Sequence, residues 1–282
     1  MSLNLKRFIT LAIFLVGILM SISAQIVVTD DYKLDADSIR KVYDDGPYFT
    51  LYKDNYFTAG TVVGAKPTKY NTDVKFQVSV AQRLTKSTLP FHSYLFLMYS
   101  QKVMWNVLEE SMPMRDLNFN PGIGLSKLLI VKDRLIGKTT LMLEHESNGR
   151  DSIQSRSWNK ISLSAAIFLG SQFMIHGKYW IPIIDGKNNK DILKYSGIYQ
   201  SGIQVMSKDN RYGFAITLIK RQGWNLNFNT IVELNCRIFK NENQYFFLQY
   251  YNGYGENLLD YNKFHSRVRL GIVIKPKFFS EY

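Results

Sequence analysis

The 282-residue chain predicts an all-β fold, a transmembrane antiparallel up-and-down β-barrel of about twelve strands. Three features carry that expectation. After residue 24 no segment approaches the roughly 20 apolar residues that a membrane helix requires. Instead, alternating apolar and polar segments follow one another, several near the roughly 9–11 residues of a tilted spanning strand. Aromatics make up 14% of the chain, and many stand near segment ends, where an interfacial girdle would put them. An even strand count lets the sheet close, and closure leaves no unpaired edge facing hydrocarbon.

In chain order, residues 1–24 combine Lys6 and Arg7, an apolar run over 8–20, and small Ser23 and Ala24 before Gln25. That pattern predicts a secretory signal peptide; the run is short for a membrane anchor. Residues 25–47 are polar and carry Asp30, Asp31, Asp35, Asp37, Asp44 and Asp45. They read as a periplasmic N-terminal extension with room for a short helix. The barrel takes residues 48–282. Its strands are expected over 56–63, 74–81, 91–105 and 121–131, then a central pair over 141–147 and 158–169. Those over 173–182, 193–206, 212–220, 227–239, 244–254 and 264–274 complete it. The girdle aromatics are Tyr56, Phe57, Tyr94, Trp105, Tyr179, Trp180, Tyr250, Tyr251 and Tyr254.

The last segment shows the pattern plainly. Val268, Leu270, Ile272 and Ile274 share one face, and His265, Arg267, Arg269 and Lys275 share the other. A soluble sandwich would bury the apolar face, whereas a membrane barrel turns it to lipid and the basic face to a polar lumen. Alternation by itself does not separate the two.

The net charge of +12 falls to about +10 once Lys6 and Arg7 leave with the leader, which holds no acids. The basic residues are scattered, so an anionic membrane surface is a better partner than nucleic acid for an exported chain. One cysteine, Cys236, excludes an internal disulfide framework, and no Cys/His cluster suggests zinc. Cys236 is in phase with Val232, Leu234 and Ile238, as a small packing residue would be.

The central pair holds the candidate chemistry. Leu141, Leu143, His145 and Ser147 share one face, and Asn159 is in phase with Ile161, Leu163, Ala165 and Ile167. A His, a Ser and an Asn thus project from the apolar face, where polar groups need a reason. His145 and Ser147 lie roughly 7 Å apart along one strand, and Asn159 on the neighbouring strand falls opposite His145 at about 5 Å. The trio has the form of nucleophile, base and orienter. A neutral orienter suits a lipid boundary, where a lone carboxylate is costly. On the outer wall, such a site meets lipid esters rather than soluble metabolites. The loop 148–155 is rich in oxygen ligands for a hard cation such as calcium, which with the Gly149 N–H could stabilise an oxyanion. The rival readings are a chance His-x-Ser pair beside a solvated Asn-Gly hairpin tip, in a non-catalytic barrel serving as channel or adhesin, and a soluble secreted esterase.

His145-Glu146-Ser147-Asn148-Gly149-Arg150, followed by Ser155-Arg156-Ser157-Trp158-Asn159, resembles the signature of the outer-membrane phospholipase A family. Weaker similarities run over most of the chain, including Val74-Lys75-Phe76-Gln77 and Gly253-Tyr254-Gly255-Glu256. The resemblance implies a twelve-stranded barrel with a Ser-His-Asn triad on its outer wall, active on phospholipids as a calcium-dependent homodimer. It implies Ser147 as nucleophile, His145 as base and Asn159 as orienter. It also implies a calcium held by the Arg150 carbonyl and the Ser155 side chain, with a carbonyl from the partner subunit for which Ser111 aligns best. Gln101 matches a glutamine of the family's dimer interface. The order Asp151-Ser152 departs from the family pattern, which leaves their part in a monomer calcium site open.

Overall fold

The computed structural model describes residues 35–184, 187–240 and 242–276. The expected signal peptide lies outside them. Alternation gives the expected result: twelve strands close into one antiparallel barrel. They are β2 (Asn55–Val62), β3 (Thr72–Arg83), β4 (Ser93–Trp105), β5 (Met114–Val131), β6 (Arg134–Ser147) and β7 (Ser157–Leu169). The others are β8 (Phe173–Ile183), β9 (Tyr199–Met206), β10 (Tyr212–Lys220), β11 (Phe228–Arg237), β12 (Gln244–Gly253) and β13 (His265–Ile274). Each pairs with its sequence neighbour, and β13 closes on β2. A short strand β1 (Phe49–Leu51) precedes them and pairs with the end of β3, continuing the line of β2 after a break at residues 52–54.

Several expected boundaries move, and the strand expected from 141 begins at Arg134. The strand expected over 91–105 begins at Ser93, because Phe91 and His92 take positive φ in a tight turn. The strand expected from 121 begins at Met114. The segment expected to be extended from 193 starts with a helical turn, Leu193–Ser196, and becomes strand only at Tyr199.

Solvent exposure fixes the orientation. Leu270 is 63% exposed on the outer wall, while Arg269 beside it is 1% exposed in the lumen. The lumen is filled by a polar network rather than left open. Arg269 donates to Asp73 at 2.8 and 3.0 Å and to Glu256 at 2.5 Å, and Lys75 donates to Gln249 at 2.8 Å and Glu256 at 3.2 Å. Elsewhere Glu144 accepts from Ser162 at 2.6 Å and pairs with Lys178 at 2.7 Å. Charges scattered in sequence are thus brought together inside, where pairing compensates for desolvation. Part of the expected girdle also turns inward. Tyr56, Tyr94, Trp180 and Tyr251 are buried in the lumen, and Phe57 and Tyr179 face out. Proximity to a strand end does not set the face; parity does.

The two mouths differ. At the N-terminal mouth most connections are short, 84–92 being the exception and Lys132–Asp133 the tightest, both at positive φ as a two-residue hairpin requires. Helix α1 (Ala36–Asp45), capped by the Asp35 carboxylate accepting from Ser38 N at 2.7 Å, packs against that mouth. Arg83 donates to the carbonyls of Tyr43, Asp44 and Gly46, and Ser87 Oγ donates to Asp44 at 2.7 Å. The other mouth carries the long loops 106–113, 148–156, 184–198 and 254–264.

Candidate active site

Strands β6 and β7 pair so that His145 stands directly across from Asn159, and Ser147 from Ser157. On their inner faces Met142, Glu144, Trp158 and Ser162 are buried. Leu141, Leu143 and Leu163 are about half exposed, so His145, Ser147 and Asn159, which share their parity, lie on the outer wall. All three are half-buried. The imidazole Nδ1 lies 2.8 Å from Asn159 Oδ1. A carbonyl oxygen only accepts, so Nδ1 carries the proton and Nε2 is the basic nitrogen. Asn120 of β5 donates from Nδ2 to the His145 carbonyl at 2.8 Å, tying the strand from its other side. Ser147 stands two residues further on the same face, and no hydrogen bond joins its hydroxyl to the ring among the described residues. Catalytic hydrogen bonds often tighten only when substrate is bound.

The inner side of the same wall is firmly held. Glu146 accepts from Trp158 Nε1 at 3.0 Å and from Lys160 Nζ at 2.8 Å. The connecting loop is pinned by Asn148, 2% exposed, whose Oδ1 accepts from Arg156 N at 3.0 Å and Arg150 N at 3.4 Å. Its Nδ2 donates to the Gln154 carbonyl at 2.9 Å. Gly149 takes φ +63, and a Cβ there would lie 2.9 Å from the Phe119 ring. Only glycine meets both demands. Sequence reasoning gave no separate role to Asn148, Asn120 or Phe119. Their work is long-range or through the backbone, and the Asn-Gly dipeptide was the one local signal.

The candidate calcium ligands are in part brought together. Arg150 and Ser155 flank the Ser152–Gln154 helical turn of the one loop. The Arg150 carbonyl and Ser155 hydroxyl accept no hydrogen bond among the described residues, so their lone pairs remain for a hard cation, and an all-oxygen set fits calcium. Asp151 and Ser152 are exposed beside them, and the Ser152 carbonyl accepts from Asn188 at 2.7 Å. Ser111 stands exposed in loop 106–113 at the same mouth, and no hydrogen bond joins it to Arg150 or Ser155. Among the described residues no cluster of three or more His, Cys, Asp or Glu could hold a metal. Gln101 lies in the same transverse row as the serine, through Phe119, which pairs with both. Two strand spacings put it about 10 Å from Ser147 along the wall. Its Oε1 accepts from Tyr99 OH at 3.1 Å.

Comparison with known proteins places the chain in a family. The family model described as Phospholipase A1 matches residues 47–274. The chain is 33% identical to the phospholipase A1 of Proteus vulgaris over 214 residues, 73% of this chain and 71% of that protein. Its fold is similar to that of the outer membrane phospholipase A of Escherichia coli, with TM-score 0.71, 27% identity, and coverage of 82% of this chain and 99% of that one. It is equally similar to a Salmonella typhi outer membrane phospholipase solved as a dimer with bound calcium. There the TM-score is 0.71 and the identity 26%, covering 82% of this chain and 94% of that one.

Proposed function

Because this chain belongs to the phospholipase A1 family, and is an outer-membrane β-barrel enzyme of that kind, we propose that it hydrolyses acyl ester bonds of phospholipids and lysophospholipids with Ser147, His145 and Asn159. The observation that carries this is the 2.8 Å contact between His145 Nδ1 and Asn159 Oδ1 on the outer wall. It leaves the second ring nitrogen as a base on the face that carries Ser147.

In the first half-reaction Ser147 Oγ attacks the ester carbonyl, and its proton passes to His145 Nε2. The Gly149 N–H, two residues beyond the nucleophile, would donate to the tetrahedral oxyanion. As the carbonyl re-forms, His145 gives the proton to the departing alcohol oxygen. In the second half-reaction water attacks the acyl-serine, His145 takes its proton and returns it to Ser147, and the fatty acid leaves. Asn159 keeps Nδ1–H oriented throughout and stabilises the imidazolium by its carbonyl dipole, with no buried carboxylate at the lipid boundary. Calcium, bound through the Arg150 carbonyl, the Ser155 hydroxyl and the carbonyl of Ser111 of the partner subunit, would supply positive charge to the oxyanion. The shared row of Gln101 and Ser147 supports a homodimer across this wall, since a lipid-facing amide gains a polar partner there.

Ser147→Ala tests the reading. Purified barrel in mixed micelles is expected to lose acyl hydrolysis while still migrating on gels as a folded, heat-modifiable species. Unchanged turnover would exclude this serine.

A further inference from the structure

At the long-loop mouth a pocket of about 550 Å³ opens beside the catalytic loop. Four cations line it, Arg115, Arg150, Arg156 and Lys263, against two carboxylates, Glu109 and Asp260. The carboxylates are already engaged. Asp260 accepts from Arg115 Nε at 2.9 Å and Nη2 at 2.7 Å and pairs with Lys263 at 2.9 Å, and Glu109 accepts from Asn106 at 2.7 Å. Arg150 and Arg156 are held differently. Arg150 donates to the Gln154 amide oxygen at 2.7 Å and to the Arg115 carbonyl. Arg156 donates to the carbonyls of Ile153 at 2.7 Å and Ser155 at 2.9 Å, with its guanidinium over the Tyr261 ring.

Neutral oxygens therefore fix the orientation of both guanidiniums without cancelling their charge. The Nε–H of each is buried and has no acceptor among the described residues. With Asp260 paired to Arg115 and Lys263, the two oriented guanidiniums outnumber the one remaining carboxylate of the concavity, Glu109, and they match a phosphoryl group, whose oxygens accept their forked donors. The lip is apolar, with Met114 45% and Ile153 81% exposed, so the ligand's other end is greasy. The floor is the loop that joins the strands of Ser147 and Asn159.

We propose that this pocket binds the headgroup phosphate of the lipid whose ester Ser147 attacks. The proposal rests on the hydrolytic reading above. It makes Arg156 and Arg150 determinants of preference for phosphate-bearing over neutral esters.

The test has two arms on the full-length, detergent-solubilised chain. In the first, calorimetric binding of sn-glycerol 3-phosphate and of inorganic phosphate is measured on Ser147→Ala, with and without Arg156→Gln. In the second, the ratio of kcat/KM for phosphatidylcholine to that for a monoacylglycerol is compared between the unsubstituted chain and Arg156→Gln. Each quantity is expected to fall about tenfold, the loss of one charge-assisted contact. Arg156 also braces the loop, so Lys263→Gln, on a different loop, serves as a second variant and is expected to weaken glycerol phosphate binding about threefold. Equal binding by all variants would overturn the site. Weakened binding with an unchanged ester ratio would overturn the assignment to substrate and leave a site for free phosphate. If the unsubstituted chain cleaves neither ester, the hydrolytic reading fails, and the binding arm still decides whether the pocket takes phosphate.

Discussion

Asn159→Ala separates an orienting residue from a bystander. The substitution removes the acceptor 2.8 Å from His145 Nδ1. In the resting enzyme that bond holds a neutral ring, and in the transition state it holds an imidazolium. A hydrogen bond to a charged group contributes about 1.5–3 kcal/mol, which corresponds to a loss of roughly 10- to 150-fold in kcat. The ring is also held through its backbone, since Asn120 grips the His145 carbonyl, so the histidine stays in place and the loss is partial. Ser147→Ala removes the nucleophile and should cost far more. The assay is steady-state hydrolysis of a short-chain phospholipid in mixed micelles at saturating calcium, with heat-modifiable migration as the check on folding. An unchanged kcat in Asn159→Ala would refute the orienting role.

Four further outcomes follow from the structure. Gly149→Ala forces a Cβ to 2.9 Å from Phe119 at φ +63, and activity is expected to fall at least tenfold with the barrel still folded, measured by the same hydrolysis assay. Asn148→Ala frees the loop that carries Arg150 and Ser155, so the calcium concentration for half-maximal activity should rise several-fold, and excess chelator should abolish activity in the unsubstituted chain. Arg269→Met removes the cation that Asp73 and Glu256 share and leaves Asp73 with Arg267 and Glu256 with Lys75, and should lower barrel stability by about 1–3 kcal/mol in urea titrations. Burial raises the pKa of Asp260, but hydrogen bonds from Lys263 and Arg115 outweigh it, and the net shift is downward from 3.8. A depressed carboxylate stabilises the fold above its unfolded pKa, so the link between loop 254–264 and Arg115 at the start of β5 should persist to about pH 4 and weaken below it, whereas Asp260→Asn should weaken it at neutral pH. Protease accessibility of loop 254–264 against pH measures both.

The sequence by itself determined the strand count and which residues share a face. Those follow from a two-residue period and need no knowledge of neighbours, so the parity of His145, Ser147 and Asn159 was readable, and the motif around them named a chemistry. Boundaries were less legible where local geometry competes with alternation, as at Phe91, His92 and the helical turn Leu193–Ser196. Closure is what the tertiary structure alone decided. Only when β13 meets β2 does one face become a lumen, and only then do Arg269, Asp73 and Glu256, distant in the chain, become one network. Closure turns the His145–Asn159 pair, already opposed in the β6–β7 hairpin, to the outside, and it brings Arg150 and Arg156 of one loop to Asp260 of another at one mouth. Periodicity constrains a residue's direction, whereas register and loop packing fix its neighbours, and catalysis depends on neighbours.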